Sequence, residues 1–521
     1  MERPRVMIER EAEASAVRPM ADRRLAVVDV GSNTARLVVF QTAPGGFLRA
    51  IYETKESPRL GLGVGPDGSI SREAFDRGLA GLTRFAQTLK AFGLPKTVGV
   101  ATSAVRDAPN GRAFVEKVEK ETGIELRVLS GTEEARYAYL GVSSSWELES
   151  DLICDLGGGS LQVAATRKGL LQNSVSLPLG ALRLTQRFFE HDPPKGREVE
   201  ALREHVHDGL RDALEAIGRE RWRLFGVGGT VRSLAKVAID LREYPIPRVH
   251  GFPLRAHDLE ALGELLFGMP AEKRSAVPGI GTDRADVIVA GLVVIEELVR
   301  TSAADLLTVS GTGIREGLAL EEVHAQLPAT AEELARRSVE GASEALAFSV
   351  AHGEEVEHLA RQLFNLLSKR SGWGEEERRA LTVAAWMHDA GTAIDLWRHA
   401  RHSAYLVRNV PLWGLSQREI LLASMIAFLH EGDTPPSSWR RDFLPLIRGS
   451  DIELARQLGT LLYVAETLRG GDPKFTLPEG SETLGIALGR GGETGLSPKV
   501  LEKVRKPLRR EFHLEVKARD S

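Results

Sequence analysis

Two short apolar runs in this chain each end in an aspartate and a glycine-rich turn. Leu25, Ala26, Val27 and Val28 lead into DVGSNTAR at 29–36, and Leu152, Ile153 and Cys154 lead into DLGGGSLQ at 155–162. Runs of this length, bounded by turn residues, predict buried strands. After the first turn, Val38, Val39 and Phe40 followed by Phe47 and Leu48 predict a hairpin. Apolar positions at helical spacing over 71–91, opened by Ser71 with Glu73 behind it, predict a capped helix. A buried strand at 97–101, a helix at 111–122, a strand at 126–129 and a helix opening in SGTEEARYAYLGV at 130–142 complete the first unit.

The pattern then restarts. From Asp151 the order strand, aspartate, glycines, serine and further strands repeats the opening of the chain, as a duplicated domain does. A helix over 286–300 and a strand over 306–309 close this second unit. Beyond 326–330 the periodicity is helical to about 468, and strand-like runs return at 484–488 and 512–516. The expected division is a disordered leader at 1–23, an α/β lobe at 24–150, a second at 151–325, a helical domain at 331–470 and a small α/β cap at 471–521. A chain of 521 residues exceeds one hydrophobic core, which fits this count.

Composition adds exclusions. A formal net charge of -4 gives no overall attraction to nucleic acid, though it permits a local basic groove. Cys154 is the single cysteine, so no intrachain disulfide forms and a reducing compartment fits. No apolar run is long enough to span a bilayer, and 1–23 lacks the apolar centre of a signal peptide. The expected location is the cytoplasm.

The two turns carry the chemistry. Glycine lets backbone N–H groups approach an anion closely, and an aspartate at the strand end suits a divalent cation held against that anion. Asp29, Gly31, Ser32, Asn33, Thr34 and Arg36 form the first candidate phosphate loop, and Asp155, Gly157, Gly158, Gly159 and Ser160 the second. One loop alone reads equally as a tight turn. The pair, followed by GVGGT at 226–230 and SGTGIREG at 310–317, forms a clamp for a phosphate chain and its metal. Cys154 reads as a small core residue rather than a nucleophile.

In this order the motifs resemble the exopolyphosphatase/guanosine pentaphosphate phosphatase family over about 24–470. The resemblance implies two lobes like those of actin and ribonuclease H, followed by a helical domain similar to the HD phosphohydrolases. It implies magnesium-dependent removal of the terminal phosphate of inorganic polyphosphate, or of the 5′ γ-phosphate of guanosine pentaphosphate. It also implies a homodimer. By resemblance, Glu133 in SGTEEA is the general base and, with Asp29 and Asp155, a magnesium ligand. The simpler reading is that Glu133 only complements a helix N-terminus. Arg106 in ATSAVRDAPN, braced by Asn110, resembles an arginine on the phosphate chain, and Arg183 is a second candidate. Surface ion pairs are the alternative for both. Gly228, Gly229 and Thr230 resemble a loop that borders the phosphate cleft. Ser310, Gly311, Thr312 and Gly313 read as the structural start of a helix joining the lobes.

One position departs from the family pattern. Gln162 stands where the family usually has a glutamate, and an amide neither ionises nor binds magnesium as well. Weaker metal binding, slower turnover or altered substrate preference is the expectation. In the helical domain His352, His388, Asp389 and Glu466 resemble the H…HD…D metal signature, with His402 and His430 as further ligands. The balance favours a degenerate site that only extends the polyphosphate channel. Three functions remain open: an exopolyphosphatase, a guanosine pentaphosphate phosphatase, and a sensor of polyphosphate or guanosine tetra- and pentaphosphates. A sugar kinase fits less well, for want of a sugar-binding signature.

Overall fold

The computed structural model describes residues 24–42, 47–62, 67–94, 97–218, 222–432, 434–488 and 498–519. The expected leader at 1–23 lies outside the described residues. Strands β1 (Arg24–Val30), β2 (Ala35–Thr42), β3 (Leu48–Glu56), β4 (Thr97–Ala101) and β5 (Arg127–Val128) form one sheet in the order β3-β2-β1-β4-β5. Strands β6 (Asp151–Leu156), β7 (Leu161–Arg167), β8 (Leu170–Leu177), β9 (Arg223–Val227), β10 (Pro253–Arg255) and β11 (Leu306–Val309) form a second, in the order β10-β11-β9-β6-β7-β8.

The two sheets are copies. In each, the first three strands pair antiparallel and the next joins the first in parallel. The turns match atom for atom: Gly31 N–H donates to Thr34 C=O at 3.0 Å, and Gly157 N–H to Ser160 C=O at 3.0 Å. The apolar runs that lead into the turns are buried, with Val27, Val28, Leu152 and Cys154 at 0% exposure. Burial on both faces explains why they read as continuous rather than alternating.

Local signals set most element ends. The helix Arg72–Phe92 opens with Ser71 accepting from Ala74 N–H at 3.3 Å and ends at Gly93 with φ 57°. The expected strand at 126–129 shrinks to β5, which pairs only with the last two residues of β4. Leu126 and Leu129 turn inward from either side of it. Asn110, expected to brace the loop that carries Arg106, exchanges two 2.9 Å hydrogen bonds with the backbone of Ile70.

The helix Ile314–Glu322 leaves lobe II and returns to the first sheet. Its Leu318 and Ala319 share a core with Leu25, Val27, Phe40 and Val100. It also packs on the helix Gly131–Ser143 with no room between backbones: a Cβ on Gly141 would meet the Gly313 carbonyl at 2.0 Å. This contact fixes the helix that carries Glu133 and Glu134 against the loop that opens the cleft.

From Ala331 to Leu468 the chain is helical, including Val350–Ser371, Glu375–Met387, His399–Asn409, Gln417–Leu429 and Asp451–Leu468. These helices share one buried core with lobe II. Gln417 Nε2 donates to the carbonyls of Arg248 and His250 at 2.7 and 2.8 Å, and Arg248 donates to Val410 C=O at 2.9 Å. A last sheet joins β12 (Pro473–Thr476), β13 (Thr483–Leu488) and β14 (Glu515–Arg519). The strand expected at 512–516 begins three residues later, because Phe512 closes the helix Pro498–Phe512 and packs its ring against Trp373.

Candidate active site

The duplicated turns meet face to face between the lobes. Ser32 Oγ lies 2.9 Å from Ser103 Oγ, and Asn33 Nδ2 donates across the interface to Asp283 C=O at 2.8 Å. Lys55 pairs with Asp283 at 2.9 Å, and Arg59 pairs with Asp286. Between the turns lies a cavity of about 110 Å³ walled by both loops, Asp29, Asp155 and Glu134. Three carboxylates in one buried space disfavour ionisation together. Burial raises Asp29 above the usual carboxylate range, although Arg315, Arg36 and Arg232 oppose it. Burial also raises Asp155 to about 6, opposed by Arg232 and reinforced by Asp29. Glu134 rises to about 7 through burial, with Arg106 opposing and Asp155 and Asp29 adding.

The donor set fits magnesium. Asp155 offers a buried carboxylate and Asp29 a half-buried one, and among the described residues they belong to no three-ligand cluster. Magnesium is ordinarily held by one or two carboxylates plus water and substrate phosphates.

Arg36, Arg232, Arg284 and Arg315 line this cavity and also a second one of about 800 Å³ beside it. The larger space is walled by nine arginine and lysine side chains against three carboxylates, and it runs between the lobes and the helical domain. Burial lowers Arg232 to about 10, with Arg315 and Arg36 adding to the effect. Burial likewise lowers Arg284 to about 10. Both remain charged at neutral pH, and together with Arg36 and Arg315 they form a collar of positive charge between the cavities that suits a polyanion.

Models of two domains match the chain: the Ppx/GppA phosphatase family over 38–326, and Ppx/GppA phosphatase domain III over 335–442. The chain belongs to the Ppx/GppA phosphatase family. Its members' shared chemistry makes it a hydrolase of phosphoanhydride bonds. Among its relatives, exopolyphosphatase 1 of Mycobacterium tuberculosis is 34% identical over 314 residues, covering 59% of this chain and 90% of that one. Exopolyphosphatase 2 of the same organism is 33% identical over 318 residues, covering 58% and 99%. The crystal structure of an exopolyphosphatase from Cytophaga hutchinsonii superposes with a TM-score of 0.55 at 27% identity, covering 58% of this chain and 99% of that chain. The Aquifex aeolicus Ppx/GppA family member gives a TM-score of 0.50 at 30% identity, over 58% and 97%. The two actin-like lobes are therefore the fold of the family.

Within this Ppx/GppA frame, the cavity wall holds Gly31, Ser32, Asn33, Thr34, Arg36, Gly157, Gly158, Ser160, Gly228 and Gly229, as the motifs suggest. Gln162 is on the wall as well, buried, donating to Ser160 Oγ at 2.8 Å and Ser176 Oγ at 3.2 Å. Gly228 needs its φ of 104°, and a Cβ there would sit 2.4 Å from the Leu156 carbonyl.

Five expected residues stand elsewhere. Glu133 points away from the cleft. Its carboxylate accepts from Ser130 N–H at 2.8 Å in a capping box and pairs with Arg127 at 2.7 Å. These bonds to Ser130 hold it below the usual carboxylate range, which makes it a poor base. Its neighbour Glu134 takes the inward place, because consecutive residues on a helix face about 100° apart. The pattern Ser130-Gly-Thr-Glu133 is a capping box, and that signal could have assigned Glu133 to the cap. Arg106 is not on the cavity wall. It sits behind Glu134, donating to that carboxylate and to Leu129 C=O at 2.8 Å. Arg183 Nε donates to the Gly159 carbonyl at 2.8 Å and pairs with Asp107 at 2.6 Å. Both Arg183 and Gly159 face a neighbouring depression instead of the cavity. Thr230 is buried inside its helix, against Gly291. Burial pushes the Cys154 thiol well up, in keeping with a core residue.

Arg232, Arg284 and Arg315 escaped the sequence reading. Arg315 lies in the SGTGIREG segment, and nothing in its local pattern distinguishes a cavity arginine from a surface one. In the helical domain His352, His388, Asp389 and Glu466 do converge, His430 joins them, and His399 takes the place expected of His402. No helix among the described residues is long and apolar enough to cross a membrane.

Proposed function

We propose that this protein is a magnesium-dependent exopolyphosphatase that removes terminal phosphates from inorganic polyphosphate. The observation that carries the reading is the arginine collar, shared by a cavity sized for one phosphate and a much larger cationic cavity beside it. A linear polyanion fits this arrangement, its end between the two turns and its length along the larger cavity.

The backbone N–H groups of the two turns and the Ser32 and Ser160 hydroxyls hold the terminal phosphate. Arg36 and Arg315 neutralise the charge that develops on its oxygens. Glu134 orients a water in line with the scissile bond and accepts its proton at the carboxylate, and a base titrating near 7 is well matched to that task. The water oxygen bonds to the terminal phosphorus, the bridging P–O bond breaks, and the shortened chain leaves as a phosphate anion. Arg106 fixes the rotamer of Glu134 and keeps its proton affinity from rising further. Magnesium, held by Asp29 and Asp155, would supply charge neutralisation to the phosphoryl oxygens. Asp29, Asp155 and Glu134 are thus the proposed catalytic acids.

The test is phosphate release with magnesium from long-chain polyphosphate, guanosine pentaphosphate and ATP, with Glu134→Gln as the blank. Release from polyphosphate that outpaces the nucleotides and vanishes in the variant supports the reading. A preference for guanosine pentaphosphate overturns the substrate assignment. Binding without release from any of the three makes the protein a sensor.

A further inference from the structure

Six side chains from five segments of the helical domain converge at one place. His352 comes from the helix Val350–Ser371, and His388 and Asp389 from the end of Glu375–Met387. His399 opens His399–Asn409, His430 closes Gln417–Leu429, and Glu466 lies in Asp451–Leu468.

The hydrogen bonds behind the cluster determine which ring atoms face it. His388 Nδ1 lies 2.7 Å from Ala385 C=O, His430 Nδ1 2.7 Å from Ala427 C=O, and His399 Nδ1 3.1 Å from Leu396 C=O. A carbonyl accepts only, so each Nδ1 carries the proton and, in the neutral ring, each Nε2 presents a lone pair. Those lone pairs face one another and two carboxylates. His399 Nε2 lies 3.1 Å from His430 Nε2 and 3.0 Å from Asp389 Oδ1. His388 Nε2 lies 3.4 Å from Glu466 Oε2. His352 Nε2 lies 3.3 Å from Glu466 Oε2 and 3.3 Å from Asp389 Oδ2. Within the buried part, His388 Nε2 has no hydrogen-bond partner although its side chain is 1% exposed, and Glu466 Oε2 and His352 Nε2 also lack one. His352 differs, because its Nδ1 accepts from Arg469 and its neutral Nε2 carries the proton until a metal displaces it. The Nε2 lone pairs of His388, His399 and His430 and the two carboxylates are acceptors packed against acceptors, which repel unless a cation lies between them.

The spacings are those of ligands around a metal. Bonds of about 2.1 Å place neighbouring ligand atoms about 3.0 Å apart in an octahedron and about 3.4 Å apart in a tetrahedron. Two sets can be drawn: His352, His388 and Glu466 on one side, His399 and His430 on the other. Asp389 belongs to both, with Oδ2 toward His352 and Oδ1 toward His399 and, at 3.7 Å, His430. Arg469 approaches His352 Nδ1 at 3.3 Å and holds Glu466 Oε1 at 2.7 Å, which turns Glu466 Oε2 into the cluster.

We propose that the helical domain contains a second metal centre, separate from the phosphate cleft, that binds two divalent first-row transition-metal ions bridged by Asp389. Imidazole-rich sets with carboxylates select such ions over magnesium or calcium. The inner wall, His388 and His430, is buried, whereas Asp389 and Glu466 are 39% and 26% exposed. One side of the centre is therefore open to water, as in catalytic rather than structural sites. When bound, a pair of this kind polarises a phosphoryl oxygen and acidifies a bound water.

The experiment uses the full-length protein, stripped with a chelator, reloaded with Co²⁺ and passed through gel filtration. Metal content and the visible absorption of the bound Co²⁺ are then read. About two ions per chain are expected, with about one in His399→Ala and fewer than one in Asp389→Asn. The count should be unchanged in Asp155→Asn, which disables only the cleft. Magnesium-dependent phosphate release from polyphosphate should stay within about twofold in His399→Ala, so failure here is separable from failure of the exopolyphosphatase reading. Fewer than one ion per chain in the unaltered protein, after reloading with Co²⁺, Mn²⁺ or Zn²⁺ in turn, would overturn the proposal. A single ion that His399→Ala does not release would overturn the two-ion assignment.

Discussion

Asp155 and Gln162 are direct partners on one rung of the β6–β7 ladder, buried side by side at the floor of the phosphate cleft. Their counterparts in the other lobe are Asp29 and Arg36, paired on the same rung of β1 and β2. The duplication thus places an acid at equivalent points of both halves and varies the residue opposite. A carboxylate at Gln162 would find two hydroxyls, Ser160 and Ser176, already positioned to donate to it. Gln162→Glu is therefore expected to lower the magnesium concentration for half-maximal phosphate release by about tenfold, the size of one charge-assisted interaction. Magnesium titrations of the two proteins at fixed polyphosphate check this.

Neighbouring glutamates should behave oppositely. Glu134→Gln removes the proposed base and is expected to reduce kcat by about 10² to 10⁴ without unfolding the protein. Glu133→Ala breaks the capping box and should leave kcat within about twofold while costing about 1 kcal/mol of stability. Steady-state rates and urea melts of both variants separate the roles.

The base must be deprotonated to work, so activity should climb with pH through the Glu134 midpoint near 7. Arg106 holds that midpoint down, and Arg106→Met should move the rising limb to higher pH. Raising magnesium should move it to lower pH, since a nearby cation favours the carboxylate. Profiles of log kcat/KM against pH at two magnesium concentrations give both shifts.

Stability should follow the same carboxylates with its own sign. Groups whose folded pKa is raised favour the folded state below the unfolded value and lose that contribution as pH rises through the folded value. For Asp155 and Glu134 the loss spans roughly pH 4 to 7 and is complete above Glu134's midpoint near 7. Magnesium should therefore raise Tm more at pH 8 than at pH 5.5, where protons already neutralise the cleft. Thermal melts with and without the ion test the difference.

Lys236 and Arg337 line only the larger cavity, beyond the collar. Replacing either with alanine should raise KM for long-chain polyphosphate several-fold and leave tripolyphosphate little changed. Equal effects on both substrates would place the chain elsewhere. Competition assays with the two substrates make the comparison.

The duplicated lobes were legible because burial on both faces leaves an unbroken apolar run, and each run stops at an aspartate and a glycine turn. Ten of the loop residues named from those turns line the cavity. Helix faces were harder. Glu133 and Glu134 are both acids at a helix start, and only the capping bonds to Ser130 decide which one turns inward. Arg232, Arg284 and Arg315 come from three separate segments, so no local pattern gathers them. His399 lies one helical turn before His402, and the choice between them depends on where the loop after Asp389 delivers the helix.

The helix Ile314–Glu322 has a consequence for how the protein is made. Its Leu318 and Ala319 cover one face of the first sheet, between Leu25, Val27 and Phe40. During synthesis that face stays bare until some two hundred further residues have left the ribosome, because the strands beneath it are finished by Val128. The N-terminal lobe is thus sealed by a piece of chain that arrives only after the strands of the second lobe are complete, and cutting the chain between the lobes would leave that face of the first sheet uncovered.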